Sequence, residues 1–267
     1  MDAGIEKAVG LVINSMRENL GDELTIDDMA RTAMFSKFHF SRLFQRATGL
    51  SPGRFLSAMR LQRAKDLLIS TSLNVTDISH RVGYTSVGTF SSRFSSSVGI
   101  SPTTYRRLRG FVPRIVVDAD DSQEPRSASV RGHVMGALTV PPSLIYIGLF
   151  PDRLPQGRPV SCTVLTRPGP YVLRDVPRGT WHLLVHSRPV DFASDEPATQ
   201  GDPRLQVGTA GPINIGPDSD IRSDVLLRPM RPFDPPVLLA LPGGRDGVTG
   251  GERDISGARF RRHDRVA

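Results

Sequence analysis

The chain has 267 residues, 38% hydrophobic, with 22 prolines, 25 glycines and one cysteine. That length suits one large or two ordinary domains, and the proline and glycine load predicts a loop-rich region or a disordered tail. A single cysteine excludes an intramolecular disulfide, and the net charge of +7 is unevenly placed, with 13 Lys/Arg against 4 Asp/Glu in residues 25–110 and 19 against 18 in residues 111–267.

A concentrated positive field points to a polyanionic partner, although a merely soluble basic surface has the same charge. No apolar run nears the roughly 20 residues that cross a bilayer, so no membrane partner is expected. MDAGIEKAVG lacks the basic-then-apolar layout of a signal peptide, and the lone Cys162 fits a reducing cytoplasm.

Proline divides the chain. Pro52 and Pro102 are the only prolines among the first 110 residues, and the other 20 lie beyond. Helices tolerate proline near their starts, whereas strand-and-turn regions use it freely. The expected architecture is therefore two-domain: an all-α N-terminal domain, then an all-β, sandwich-like C-terminal domain. The expected boundaries are 1–112, a linker at 113–129, a β domain at 130–230, and an extended, partly disordered tail at 231–267. The stretch VVDADDSQEPRSAS lacks apolar periodicity and reads as the linker.

In chain order, Ile5, Val9, Val12, Ile13 and Met16 recur at helical steps and predict a first amphipathic helix ending near Gly21. Thr25 is placed to cap a helix whose first turn carries Asp27 and Asp28. Ser36 starts the next helix, Phe40 and Phe44 face inward, and Gly49 supplies a left-handed stop. Ser51-Pro52 opens a helix to about residue 70, with Phe55, Met59, Ala64, Leu67 and Leu68 on its apolar face. After NVTDISHRVGY the pattern restarts at Ser86.

That restart is a repeat. FSRLFQRATGLSPGRF at 40–55 and FSSRFSSSVGISPTTY at 90–105 agree at Phe40/Phe90, Ser41/Ser91, Phe44/Phe94, Gly49/Gly99, Ser51/Ser101 and Pro52/Pro102. A short helix, a tight turn and a second helix with a polar outer face is the helix-turn-helix unit. Its second helix buries one face and offers the other to base edges in the major groove. In the first copy that outer face or its flank holds Lys37, Phe38, Ser41, Arg42 and Arg46. In the second it holds Val87, Gly88, Thr89, Ser91, Ser92 and Arg93. With the helix-start serines Ser36 and Ser86 these form the candidate DNA-binding set. A joining helix of about 20 residues spans roughly 30 Å, close to the separation of successive major-groove faces. One chain can then read two unlike half-sites.

Residues 1–110 resemble the DNA-binding domain of AraC/XylS-family transcription regulators. The resemblance runs through AMFSKFHFSRLFQRATGLSPGRFLSAMRLQRAKDLL and VTDISHRVGYTSVGTFSSRFSSSVGISPTTYRR. It implies two helix-turn-helix units, sequence-specific promoter binding and activation through RNA polymerase. It also implies that Lys37, Phe38, Ser41 and Arg42, then Val87, Gly88, Thr89, Ser91 and Ser92, meet bases and phosphates. Three departures matter. Met34 stands where the family often has Gly. Val87 and Gly88 replace longer polar side chains, so the first unit is expected to carry most base readout. The domain comes first in the chain, without a visible sugar-binding cupin, so no ligand is inherited. Arg63 and Lys65 on the joining helix are read as a solvated face, with DNA contact the alternative. Phe38 packs either on Met34 or on a thymine methyl. His39 and His80 are read as surface or helix-packing residues.

Beyond residue 130 the period changes. Runs at 145–150, 160–165, 171–176, 180–186, 212–216 and 221–227 read as short strands. RPGPYVLRDVPRGTWHLLV resembles a hairpin of transthyretin-like, carboxypeptidase-regulatory-type sandwiches, with Pro177 and Gly179 shaping the turn and Trp181 at the core or edge. Cys162 sits in an apolar strand without a basic neighbour in sequence and is read as buried, not as a nucleophile. His182 and His186 share a strand face some 13 Å apart, too far to chelate one ion. Asp218 and Asp220 shape a turn. No cofactor, metal or catalytic residue is expected. A small-molecule or protein effector is a candidate partner of the β domain.

The expected function is a cytoplasmic, sequence-specific, double-stranded-DNA-binding regulator. Two alternatives remain open: a DNA-modifying or repair enzyme delivered by the helical half, and a non-specific architectural DNA binder.

Overall fold

The computed structural model describes residues 3–117, 128–136, 143–189 and 204–242. Most of the acidic linker stretch and the basic end RFRRHDR lie outside the described residues.

The first half is all-α: α1 (Ala3–Glu18), α2 (Ile26–Thr32), α3 (Lys37–Thr48), α4 (Pro52–Ser70), α5 (Val75–Arg81), α6 (Val87–Val98) and α7 (Pro102–Arg107). Local chemistry sets the ends. At α2, Thr25 Oγ1 accepts from the Asp28 N–H at 3.2 Å, and Asp28 Oδ2 accepts from the Thr25 N–H at 3.1 Å. This reciprocal cap satisfies two donors that the helix start leaves open. α3 and α6 both run twelve residues and stop on Gly49 (φ 80°) and Gly99 (φ 92°). Pro52 and Pro102 then open α4 and α7 behind Ser51 and Ser101.

The repeat is a repeat of core packing. Phe40, Phe44 and Phe55 form a ring series with centroids 5.5 and 5.4 Å apart. Phe90, Phe94 and Tyr105 form its counterpart at 5.7 and 5.6 Å. Tyr105 stands fifty residues after Phe55, so the register extends to a third aromatic pair. Tilted and edge-to-face rings at this spacing add specific attraction to their burial. Both series share one core with Val12, Ile13 and Met16 of α1 and Leu61 and Leu68 of α4.

The second half begins with β1 (Phe111–Val112) and continues through β2 (Ser129–Met135), β3 (Ser143–Phe150), β4 (Ser161–Leu165), β5 (Gly169–Leu173) and β6 (Gly179–Pro189). After these come β7 (Gln206–Ile215), β8 (Asp220–Arg222), β9 (Val225–Leu226), β10 (Arg228–Pro229) and β11 (Leu241–Pro242). The larger sheet has the order β10-β7-β6-β3-β4 and a smaller one has β5-β2-β8, with β9 also on β2; β1 and β11 form a separate pair. Val130, Val134, Tyr171 and Leu173 from the smaller sheet meet Ile145, Ile147, Leu149, Leu183 and Val185 from the larger. The two sheets thus share a sandwich core.

The expected hairpin at 171–186 is corrected. β5 pairs with β2, whereas β6 pairs with β3 and β7. The intervening residues cross from one sheet to the other. Asp175 takes a left-handed φ of 55°, the Val176 N–H donates to Ala128 O, and Trp181 Nε1 donates to Pro177 O at 2.9 Å. These bonds anchor the crossover where a hairpin would carry ladder bonds. Trp181 is half-buried against the sandwich core.

The larger sheet is covered on both faces, which explains why β3 is buried at every position. Its odd residues Ile145, Ile147 and Leu149 enter the sandwich core. Leu144, Tyr146 and Phe150 form a second cluster with Cys162, Leu184 and Leu239. Residues 231–242, expected as the start of the extended tail, lie on that second face. Leu238 and Ala240 enter the helical core, as does Leu154 of the β3–β4 loop. The Ala240 N–H donates to Val98 O, the Gly157 N–H to Ser97 O, and β11 pairs in parallel with β1. Arg54 of α4 is ion-paired with Asp152.

Lys65 departs from its expected solvated face. It is 8% exposed, and its ammonium donates to Val237 O at 2.7 Å. Arg63 stays exposed. α4 is buried nearly all round, because the β half covers the side that an isolated helical domain would leave to water.

Candidate nucleic-acid interface

α3 buries Phe40, Leu43, Phe44 and Thr48 and turns its other side outward. Ser36, Lys37, Phe38, Arg42 and Arg46 are exposed and Ser41 is half-buried. The structure thus gathers the first expected set on one open helix face and its flank. The side chain of Ser36 makes no capping bond, although the residue holds the N-cap position. Ser41 Oγ donates back to Lys37 O at 2.8 Å, and Lys37 Nζ pairs with Asp27 at 3.0 Å. Phe38 is 83% exposed and Met34 88%, so neither ring nor thioether covers the other. His39 lies edge-on to Phe35 at 5.1 Å, on the flank. Exposed Gln45 continues the stripe through Phe38, Ser41 and Arg42 and lay outside the expected set. Its spacing, four after Ser41 and three after Arg42, was a legible signal.

α6 repeats the layout with smaller side chains. It buries Phe90, Phe94 and Val98. Ser86, Gly88, Thr89, Ser92 and Arg93 are exposed; Val87 and Ser91 are half-buried. Ser86 Oγ accepts from the Thr89 N–H at 3.4 Å, so it caps its helix as Ser36 does not. A Cβ on Gly88 would meet nothing nearer than Ser86 Oγ at 3.7 Å. Internal packing therefore does not demand glycine there; it leaves bare backbone on the outer face.

The turns before the two helices differ. Gly83 takes a φ of 83°, and a Cβ there would meet Leu20 O at 2.6 Å and the Arg60 guanidinium at 2.8 Å. Arg60, on α4, donates Nε to Leu20 O at 2.9 Å and Nη2 to Asp22 O at 2.6 Å. Burial lowers its pKa. It ties the joining helix to the α1–α2 turn beside the second unit. At the first turn Met34 holds a φ of 56°, a left-handed conformation costly for any residue with a Cβ.

α4 runs nineteen residues, about 28 Å at 1.5 Å per residue. It carries Phe55 into the first ring series, while Leu68 O accepts from Arg106 Nε of α7 at 3.0 Å. One stiff element thus touches both units. Neither α3 nor α6 contains an acidic residue.

Residues 29–108 match the helix-turn-helix domain family. Over 88 residues the chain is 34% identical to the HTH-type transcriptional activator AarP of Providencia stuartii, covering 33% of this chain and 65% of that protein. It is 33% identical over 94 residues to the lactose operon transcription activator of Staphylococcus xylosus, covering 35% and 34%. Among solved structures, an AraC-type regulator from Chromobacterium violaceum is 29% identical with a TM-score of 0.38, covering 40% of this chain and 96% of that one. With the duplicated core and the domain match, residues 29–108 of the helical half form a helix-turn-helix domain. The chain spans between a third and two thirds of the length of the curated relatives named here.

Proposed function

We propose that this protein is a cytoplasmic, sequence-specific transcription regulator that reads two adjacent major-groove half-sites with one chain. The observation that carries the reading is the pair of in-register helices, α3 and α6. Each buries its aromatic face, exposes a face free of acids, and is joined to the other by α4. Two relatives, a transcriptional activator and a lactose operon activator, agree with it.

In the proposed complex Arg42 and Gln45 of α3 hydrogen-bond base edges, and Phe38 packs on a thymine methyl. Lys37 exchanges Asp27 for a phosphate. On α6 the short side chains and Gly88 let the helix sit close to the duplex, so Thr89, Ser92 and Arg93 contribute phosphate and shape contacts more than base readout. The β half regulates instead of catalysing. Cys162 is 3% exposed within a strand, which is poor placement for a nucleophile. Activation then proceeds through contact with RNA polymerase.

Arg42→Ala is expected to lose discrimination at one base position of the bound site by about 1–3 kcal/mol. Binding profiles of wild type and variant across singly substituted duplexes measure this. A uniform loss over all sequences would refute base reading by Arg42.

A further inference from the structure

The seam between α4 and the outer face of the larger sheet holds two buried cations. Lys65 is 8% exposed and Arg188, on β6, is 7% exposed. Lys65 Nζ donates to Val237 O at 2.7 Å and lies 5.9 Å from the Tyr105 ring centroid. Arg188 donates Nε to the Tyr146 hydroxyl and Nη2 to Pro242 O, each at 3.2 Å, and its Cζ stands 4.6 Å over the Phe111 ring. Every one of these partners is neutral. The nearby acid, Asp66, has its Oδ1 taken by Gln62 Nε2 at 3.0 Å.

A third group points into the same place. His186 Nδ1 is buried without a hydrogen-bond partner. Lys65, His186 and Arg188 line one cavity of about 60 Å³, with Gln62, Tyr105 and Met230. That is room for a small ion or several waters. A neighbouring, mostly apolar cavity of about 70 Å³ shares His186, Val237, Leu239 and Leu241 in its wall. Burying two like charges is costly unless opposite charge and hydrogen bonds compensate. The cost shows at Lys65, whose pKa burial lowers to about 8 despite Asp66.

We propose that this seam is a binding site for a small oxyanion-bearing molecule, its carboxylate or phosphate head held between Lys65, Arg188 and His186. The head group neutralises both cations, and any apolar body extends along Val237 and Leu239 toward the second cavity. Arg188 and His186 belong to the sandwich, and Lys65 belongs to the helix that joins the two helix-turn-helix units. Occupancy therefore clamps the β half to α4. Binding itself does not depend on the DNA-reading proposal, so the two stand or fall separately.

The test is calorimetric titration and thermal unfolding of the full chain in chloride buffer at constant ionic strength. The probes are benzoate, inorganic phosphate and the uncharged benzamide. Saturable one-to-one binding and a rise in melting temperature are expected with an anion and not with benzamide. Preference for benzoate assigns a carboxylate with an apolar body; preference for phosphate assigns a phosphate head. Lys65→Met and Arg188→Gln should each weaken binding by at least about tenfold. Arg42→Ala, on the outer face of α3, should leave it unchanged. Circular dichroism checks that each variant folds, and Lys65→Arg supplies a charge-retaining variant that should keep binding. Failure of the wild type to bind either anion at millimolar concentration would overturn the proposal. So would undiminished binding in a folded Lys65→Met, or loss in Arg42→Ala.

Discussion

Met34 and Gly83 occupy equivalent turns with nearly the same left-handed backbone, and one of them carries a side chain. Met34 is exposed, so no packing is lost when its side chain is removed. Met34→Gly should raise stability by about 1 kcal/mol, since relief of the left-handed strain outweighs the added chain entropy. Thermal unfolding reads this as a rise of roughly 2–4 °C; a fall would show that the turn is not strained. His186 gives a pH prediction. Burial, then Arg188 and Lys65, lower its pKa from 6.5 to about 3. The unfolded chain therefore takes up a proton that the folded chain refuses. Stability from this group is full above about pH 6.5 and is lost progressively as pH falls toward 3. Denaturant titrations from pH 7 to pH 4 should show a fall that is smaller in His186→Leu. An unchanged slope would place the acid sensitivity elsewhere.

The elements divide by how local their causes are. The repeated helices were legible in the sequence because their caps, stops and inward aromatics all lie within about fifteen residues of one another. Gly49, Gly99, Pro52 and Pro102 act where they stand. The β half was legible in outline and less so in pairing. β2 is hard to read in the sequence because two valines and a glycine give a weak alternation, and Gly132 is required by Ser223 O, which a Cβ would meet at 2.0 Å. The crossover at 174–178 looked like a hairpin because turn residues mark a change of direction without saying which sheet receives the next strand. The path of residues 231–242 was not legible at all. Leu238 and Ala240 fill a helical core more than a hundred residues earlier in the chain, and no local pattern encodes that. Leu238 is fully buried there. Leu238→Ala should destabilise the helical half by about 3 kcal/mol, read by helical circular dichroism in denaturant. A loss below roughly 0.5 kcal/mol, the size of an ordinary surface substitution, would mean that the segment does not support the helices.

At the scale of the whole molecule the chain is a layered object: helical domain, docked segment, larger sheet, smaller sheet. The β3–β4 loop and residues 231–242 reach the helical half near the ends of both helix-turn-helix units, at Arg54 of α4 and at Ser97 and Val98 of α6. The sandwich is thereby placed to govern how α3 and α6 are held, while their outer faces stay open. The most direct test is a selection of the full-length protein against a random duplex library at physiological salt, with the bound fraction sequenced. The account predicts an enriched site of two unlike blocks about one helical turn, roughly 10 base pairs, apart. Binding with no enriched sequence, and with affinity set by salt alone, would contradict it and make the protein a non-specific DNA binder.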